Sequence, residues 1–284
     1  MKDELKQLSR DEFPSGLGEI PDPPVTLHLR GELPNREHKW LAVVGSRACT
    51  PYGRQCVSHF IKGLRGYPIV IVSGLAYGID AEAHRAALDA GLTTVAVPGS
   101  GLDWDILYPR ANVNLAKEIL VAGGALLSEF KPAQRAAEYT FPQRNRIMVG
   151  LSHAVLVIEA KEKSGSLITA RLATEYNREL LVVPGSIFSS ESRGTHQFMK
   201  LGATPVTEPD DILQALGLEP SEKNMLPSDL SGDESHVLEA LSVPCSRDDL
   251  IEVLELPIAD ANVLLSMMEI KGLIVEELGS IRRV

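Results

Sequence analysis

The chain has few cysteines: Cys49, Cys56 and Cys245 are an odd number without the paired spacing of a metal site. Free cytosolic thiols are the expectation, with no disulfide frame. The seven histidines are scattered without HxxxH spacing, so no metal is expected. No run of about 18 apolar residues exists, which excludes a helical membrane span. The N-terminus, MKDELKQLSRDEF, is charged where a signal peptide needs an apolar stretch, so a cytoplasmic location is expected. Phosphate-binding signatures are missing as well. GxxxxGK followed by Ser or Thr does not occur, and GSRACTP lacks the glycine spacing of a dinucleotide fingerprint. Ser73, Asp80 and His84 do not make a nucleophilic triad, because Ser73 lies outside a GxSxG elbow. A capping serine and an i,i+4 Asp–His pair account for them. Neither a cofactor nor a catalytic activity is expected.

Positive charge is also scarce, with 28 Lys+Arg against 38 Asp+Glu and a net charge of −10. That deficit excludes a polyanionic partner only if it is evenly spread, and it is not. Residues 233–284 hold four Lys/Arg against eleven Asp/Glu, a balance of −7. Residues 139–200 hold eight against five, a balance of +3.

What the chain does have is a regular alternation of short apolar runs and amphipathic stretches. The runs are 41–45, 69–74, 93–99, 125–130, 154–160, 179–185 and the weaker 203–206. Their apolar character is continuous rather than alternating, as in strands covered on both faces. Helices are predicted at about 52–65, 78–90, 112–122, 143–151, 166–177, 194–201 and 209–216. The fold class is therefore α/β, a Rossmann-like, doubly wound, mostly parallel sheet over 41–216. Residues 1–40 are Pro-rich and predicted to be an irregular lead-in. Residues 217–232, with two prolines, predict a linker. Residues 233–284 predict three helices, the second capped by Ser246, and a hairpin turning at Gly279, which is a winged-helix pattern. The third of these helices offers Asn262 and Lys271 but no Arg to a duplex, so protein contact is expected of this unit.

Ligands of open parallel sheets bind beyond the carboxyl ends of the strands. Three strand-to-helix turns there are rich in small residues: Gly45-Ser46-Arg47, the segment 73–80, and Ser164-Gly165-Ser166. Such turns present backbone N–H groups at a helix N-terminus, where an anion is favoured. Arg47, Arg110, Arg144, Arg146, Lys161 and Lys163 lie in or beside them, and Asn145 sits between two of the arginines. Several cations along one edge suit a string of phosphates better than one nucleotide. Tyr52, Tyr77, Trp104, Tyr108 and Phe141 lie close by, as stacking surfaces for bases or as packing under the loops.

These stretches closely resemble the DprA/Smf family of bacterial DNA-processing proteins. The matching segments are GSRACTPYG (45–53), SGLAYGIDAEAH (73–84), VPGSGLDWDILYPRAN (97–112), FPQRNRIMVGLS (141–152), EAKEKSGSLITARLA (159–173), VPGSI (183–187) and GTHQFMKLGA (194–203). The resemblance covers about residues 11–215. It implies a Rossmann-like domain that dimerises, binds and shields single-stranded DNA without sequence preference, and helps load RecA in transformation and recombination. Carried over by motif, the DNA-contacting residues are Arg47, Arg144, Arg146, Lys161, Ser164, Gly165 and Ser166. The chain departs from the family in having about ten residues before Asp11, where many members carry a helical domain, and in the segment KPAQRAAEY after Phe130.

Two rivals follow from the same residues. The loops are also similar to those of Rossmann-like nucleotide hydrolases, the phosphoribohydrolases, but their PGGxGT motif and following Glu are replaced here by PGSGLDWD (98–105). A pure interaction scaffold would bind no DNA at all.

Overall fold

A computed structural model of the chain describes residues 4–162, 164–220, 231–241, 244–254, 256–277 and 279–283. The first unit spans residues 1–220 and the second 221–284.

In the first unit each continuous apolar run is a strand: β3 (Lys39–Val44), β4 (Ile69–Ser73), β5 (Thr93–Ala96), β6 (Ala125–Ser128), β7 (Ala154–Val157), β8 (Glu179–Val182) and β9 (Thr204–Pro205). Between them run α2 (Pro51–Gly63), α3 (Ile79–Asp89), α4 (Val113–Val121), α5 (Thr140–Leu151), α6 (Ser166–Glu175) and α7 (Arg193–Lys200), and α8 (Pro209–Ala215) follows β9. Alternate strand residues explain why the runs have no polar side. Trp40, Ala42 and Val44 face one buried cluster with Val70, Val72, Val155 and Val157. Leu41 and Val43 face the other with Ile69, Ile71 and Leu156 against α2 and α3. Removing both faces from water makes each such side chain worth about 1.5–3 kcal/mol.

The lead-in departs from expectation. Residues 1–40 are not merely irregular: β1 (Lys6–Leu8) and β2 (Leu27–Gly31) join the sheet, and the short helix α1 (Ser15–Gly18) packs beside α5. Leu27 and Leu29 are buried while His28 and Arg30 are half-buried. That two-residue alternation in VTLHLRG is the strand signal, and the surrounding prolines obscured it. Among the described residues the order is β1-β2-β6-β5-β4-β3-β7-β8-β9. From β3 to β9 neighbouring pairs are parallel, and β2 meets β6 and β1 antiparallel. The chain winds outward from β3 through β4 and β5, then returns to β7 on the other side. The switch point therefore lies at the carboxyl ends of β3 and β7.

Most of the linker predicted over 217–232 (residues 221–230) lies outside the described residues, and Gly232 is already helical. The second unit consists of α9 (Gly232–Ala240), α10 (Arg247–Leu254), α11 (Ile258–Ile270), β10 (Ile274–Glu277) and β11 (Ser280–Arg283). Ser246 Oγ accepts from the Asp249 amide at 3.2 Å, the N-cap that the sequence predicts. Gly279 turns the hairpin with φ of +79°. Val237, Leu238, Leu250, Leu265, Met268 and Ile281 form the core of this unit.

Deep in the first unit, His84 lies against Thr94 at 2.7 Å, and Thr94 donates its own proton to the Ile71 carbonyl. His84 Nδ1 is thus the donor of a neutral imidazole. Burial, helped by the charge of Arg144, pushes its pKa down to about 3 from the ordinary 6.5. The folded state then refuses a proton that the unfolded chain accepts. This contribution to stability is intact above pH 6.5 and is lost progressively from there down to about pH 3. Going from pH 7 to pH 5 is expected to cost about 2 kcal/mol through this residue. Urea unfolding at both pH values checks it: the loss should shrink in His84→Gln.

Candidate nucleic-acid interface

The turns beyond β3, β4, β5, β7 and β8 are tied to one another at the loop edge of the sheet. The Ile79 amide donates to the Ser46 carbonyl at 3.1 Å, and Ser166 Oγ donates to the Gly45 carbonyl at 2.9 Å. Asn112 Nδ2 reaches the Leu75 carbonyl at 2.8 Å, and Thr140 Oγ1 reaches that of Gly99 at 2.6 Å. Tyr52 Oη donates to the Pro184 carbonyl at 2.6 Å. Gly78 is required by this convergence: its φ is +72°, and a Cβ there would sit 2.3 Å from the Ser46 carbonyl oxygen.

Of the three turns expected to receive phosphates, the one beyond β4 already holds a carboxylate of the protein, and a second carboxylate sits at the start of α2, just past the turn beyond β3. Beyond β3, the buried Glu159 accepts from the Thr50 amide at 3.0 Å and from its hydroxyl. Thr50 in turn caps α2 through the Gly53 amide at 3.1 Å. Beyond β4, Asp80 accepts from the amides of Gly74 at 3.1 Å and Ala76 at 3.4 Å. Carboxylates of the protein itself thus take up backbone N–H groups at the start of α2 and in the turn beyond β4, and burial pushes the Asp80 carboxyl up from its ordinary pKa. The third turn differs. Ser164 Oγ accepts from the Ser166 amide at 3.2 Å, but Gly165 is exposed and a Cβ there would meet nothing within 4 Å.

The predicted cations separate into three groups. Arg47 is exposed, and its guanidinium lies 4.8 Å from the centre of the Phe141 ring. Phe141 and Tyr108 are 5.9 Å apart, and these three residues with Tyr77, Gly74, Ala76 and Pro109 line one shallow cleft. Arg110 is exposed beside it and donates to the Trp104 carbonyl. Lys161 is exposed one strand over and pairs with Glu191 at 3.0 Å.

Arg144 lies buried beneath this edge, and Arg146 is only partly exposed. Arg144 is buried, donating to the carbonyl of Gly74 at 2.5 Å, to that of Val97, and to Asn145 Oδ1 at 3.1 Å. Burial pushes its pKa down to about 10, opposed by the attraction of Asp80, so it stays cationic. Asn145 is buried as its acceptor. Arg146 pairs with Glu129 at 2.5 Å and with Asp22 of the lead-in at 3.4 Å. Burial, rather than the number of acceptors, keeps these guanidiniums from solvent: Arg144 is buried, and Arg146 Nη1 is buried without a partner. Lys163 lies outside the described residues.

Other predicted residues also find structural partners. Ser73 is buried and donates to the Val43 carbonyl at 2.7 Å rather than capping a helix. Asp80 and His84 do not pair with each other, since each has its own partners. Trp104 stacks beneath Arg30 at 5.2 Å and Lys117 at 5.5 Å, against the buried cluster of β5 and α4. Sequence reasoning missed Glu159, Asp80 and Glu191 as the acidic lining of the edge. Their signal, an acid one or two residues from a strand end or helix start, is common to solvated surface residues. Among the described residues, no group of three His, Cys, Asp or Glu is arranged to hold a metal. No helix among them is long and apolar enough to cross a membrane.

A doubly wound sheet with a cation–aromatic cleft over the turns beyond β3, β4 and β5 defines the class as a Rossmann-like domain. The profile of DNA recombination-mediator protein A matches residues 5–217, that of the DprA winged helix domain matches residues 221–280, and the chain belongs to this family. The chain is 45% identical to the DNA processing protein DprA of Streptococcus pneumoniae over 203 residues, 72% of this chain and 71% of that protein. It is also 45% identical to the protein Smf of Escherichia coli over 204 residues, a match that spans 54% of that longer protein. A structure of DNA processing protein A from Helicobacter pylori, solved for its single-stranded DNA binding mode, superposes with a TM-score of 0.66 at 30% identity. The superposition covers 76% of this chain and 98% of that one.

The separation of the arginines predicts opposite outcomes. Arg144→Ala leaves Asp80 buried without its cation and is expected to destabilise the fold by about 3–5 kcal/mol. Arg47→Ala removes an exposed side chain and should stay within about 0.5 kcal/mol of the parent. Denaturant unfolding of the two variants reads both.

Proposed function

We propose that this chain binds single-stranded DNA without sequence preference along the loop edge of its sheet, as a recombination mediator and not as an enzyme. The observation that carries this reading is the exposed Arg47 guanidinium lying on Phe141 beside Tyr77 and Tyr108. A cation attracts a phosphate whatever the base, and aromatic faces stack on any base, for about 1–3 kcal/mol each. Apart from Arg47, which lies on Phe141, the cleft is lined by aromatic, Gly, Ala and Pro residues, with no Asn, Gln, Asp or Glu to read base edges. Arg110, Lys161 and the open turn at Ser164-Gly165-Ser166 extend the cationic path on either side. Arg144, Asn145, Arg146, Gly45 and Ser46 serve the path indirectly, by holding its loops.

The reading extends to a cytoplasmic protein that shields the strand and hands it to RecA, in recombination or transformation. It also includes a homodimer, supported by the exposed apolar side chains Ile187, Phe188 and Leu201 on the 188–216 side of the sheet. The internal carboxylates Glu159 and Asp80 weigh against nucleotide hydrolysis, since they take up the Thr50, Gly74 and Ala76 amides at two places that would favour a phosphate.

Titration of labelled oligo-dT at two salt concentrations tests the proposal. The parent should weaken steeply with salt, by about 0.7 in log–log slope for each phosphate contact. Arg47→Ala should reduce that slope by about one contact, and Phe141→Leu should weaken binding about tenfold with the slope retained. Undiminished affinity in the Arg47→Ala/Phe141→Leu double variant would sink the site. Absence of binding by the parent at low salt would leave only the interaction scaffold.

A further inference from the structure

The exposed positions of α11 are Ile258, Ala259, Asp260, Val263, Ser266, Met267, Glu269 and Ile270. Val263, Met267 and Ile270 stand at i, i+4 and i+7, one face of a helix, and are 61%, 51% and 87% exposed. Ala259 and Ser266 complete that face, so about three turns of outward surface carry no charge. The opposite face, Ala261, Leu265 and Met268, is buried. A surface helix that is apolar on both sides has more apolar area than its own unit can cover, and such patches mark interaction surfaces.

The chemistry around this face selects its occupant. A winged helix that reads duplex DNA turns cations and amides of its third helix toward the bases. Here those groups are engaged internally. Arg247 holds Glu276 at 2.9 Å and Glu269 at 3.8 Å, and donates to Asn262 Oδ1 at 3.0 Å. Asn262 Nδ2 donates to the Ile258 carbonyl at 2.9 Å, and Lys271 holds Glu234 at 2.6 Å. The carboxylates of Asp248, Glu252 and Asp260 remain exposed. With a balance of −7 over residues 233–284, duplex phosphates are repelled, and so is a second copy of the same unit.

We propose that the outward face of α11 docks a basic amphipathic protein segment. Its apolar side chains would seat on Val263, Met267 and Ile270, and its Lys or Arg would meet Asp260 of the same helix within the acidic field of the unit. Met267 suits this role because an unbranched thioether adapts to the shape of its partner. The inference goes beyond the DNA-binding role of the first unit and does not depend on it.

The full chain and its Met267→Ser/Ile270→Ser variant are titrated by fluorescence anisotropy with a labelled helical peptide of leucine and lysine. The control is the same pattern with glutamate in place of lysine. The lysine peptide is expected to bind the parent, to bind the variant about tenfold more weakly, and to bind far better than the glutamate peptide. An unchanged melting curve and unchanged oligo-dT affinity identify the loss as local. Equal binding to parent and variant, or equal binding of the two peptides, overturns the proposal. Sedimentation velocity and a labelled duplex are run on the same pair. Self-association that vanishes in the variant assigns the face to a second copy, and duplex affinity that vanishes assigns it to DNA; either result also overturns it.

Discussion

Arg144 commits its guanidinium to the carbonyls of Gly74 and Val97, while Asp80, whose charge holds it cationic, takes the amides of Gly74 and Ala76. One buried ionic arrangement thereby ties α5, α3 and the turns after β4 and β5 into a single rigid edge. Burying two charges is costly, and the backbone hydrogen bonds around them are what make it tolerable. The positions of Phe141, three residues before Arg144, and of Tyr77, three before Asp80, follow from that anchoring. The exposed cleft owes its shape to a buried charge.

Along the same edge, places that favour an anion in this topology carry carboxylates of the protein. The helix N-terminus after β3 and the turn after β4 are favourable places for an anion in any such sheet. In this chain Glu159 and Asp80 supply that anion covalently. What remains available is outside the crevice: an arginine on an aromatic ring, a second exposed arginine, a lysine balanced by Glu191, and an open glycine turn. These are spread along the edge rather than gathered into a pocket, a layout suited to a chain of phosphates.

The second unit follows a different logic. Its cations serve its own carboxylates, and its third helix turns apolar side chains outward. The net charge of −10 is thus a sum over two units with different surfaces and describes neither of them.

The amino-acid sequence by itself determined the elements from β3 onward, their order and the two-unit plan, but not β1, α1 and β2 of the lead-in. Buried strands, helix starts and turns are written in spacings of a few residues, and the predicted runs lie within a few residues of the strands and helices found. Even β2, overlooked among prolines, has its alternation in VTLHLRG. Only the tertiary structure decided what each charged residue does. Arg47 and Arg144 both sit in basic, glycine-adjacent motifs, yet one is exposed on Phe141 and the other is sealed against carbonyls 70 and 47 residues away. Thr50 meets Glu159 across 109 residues. A long charged side chain can satisfy its donors with water or with buried carbonyls, and the choice depends on which distant backbone groups the packed sheet brings within reach. Local sequence carries no record of that distance.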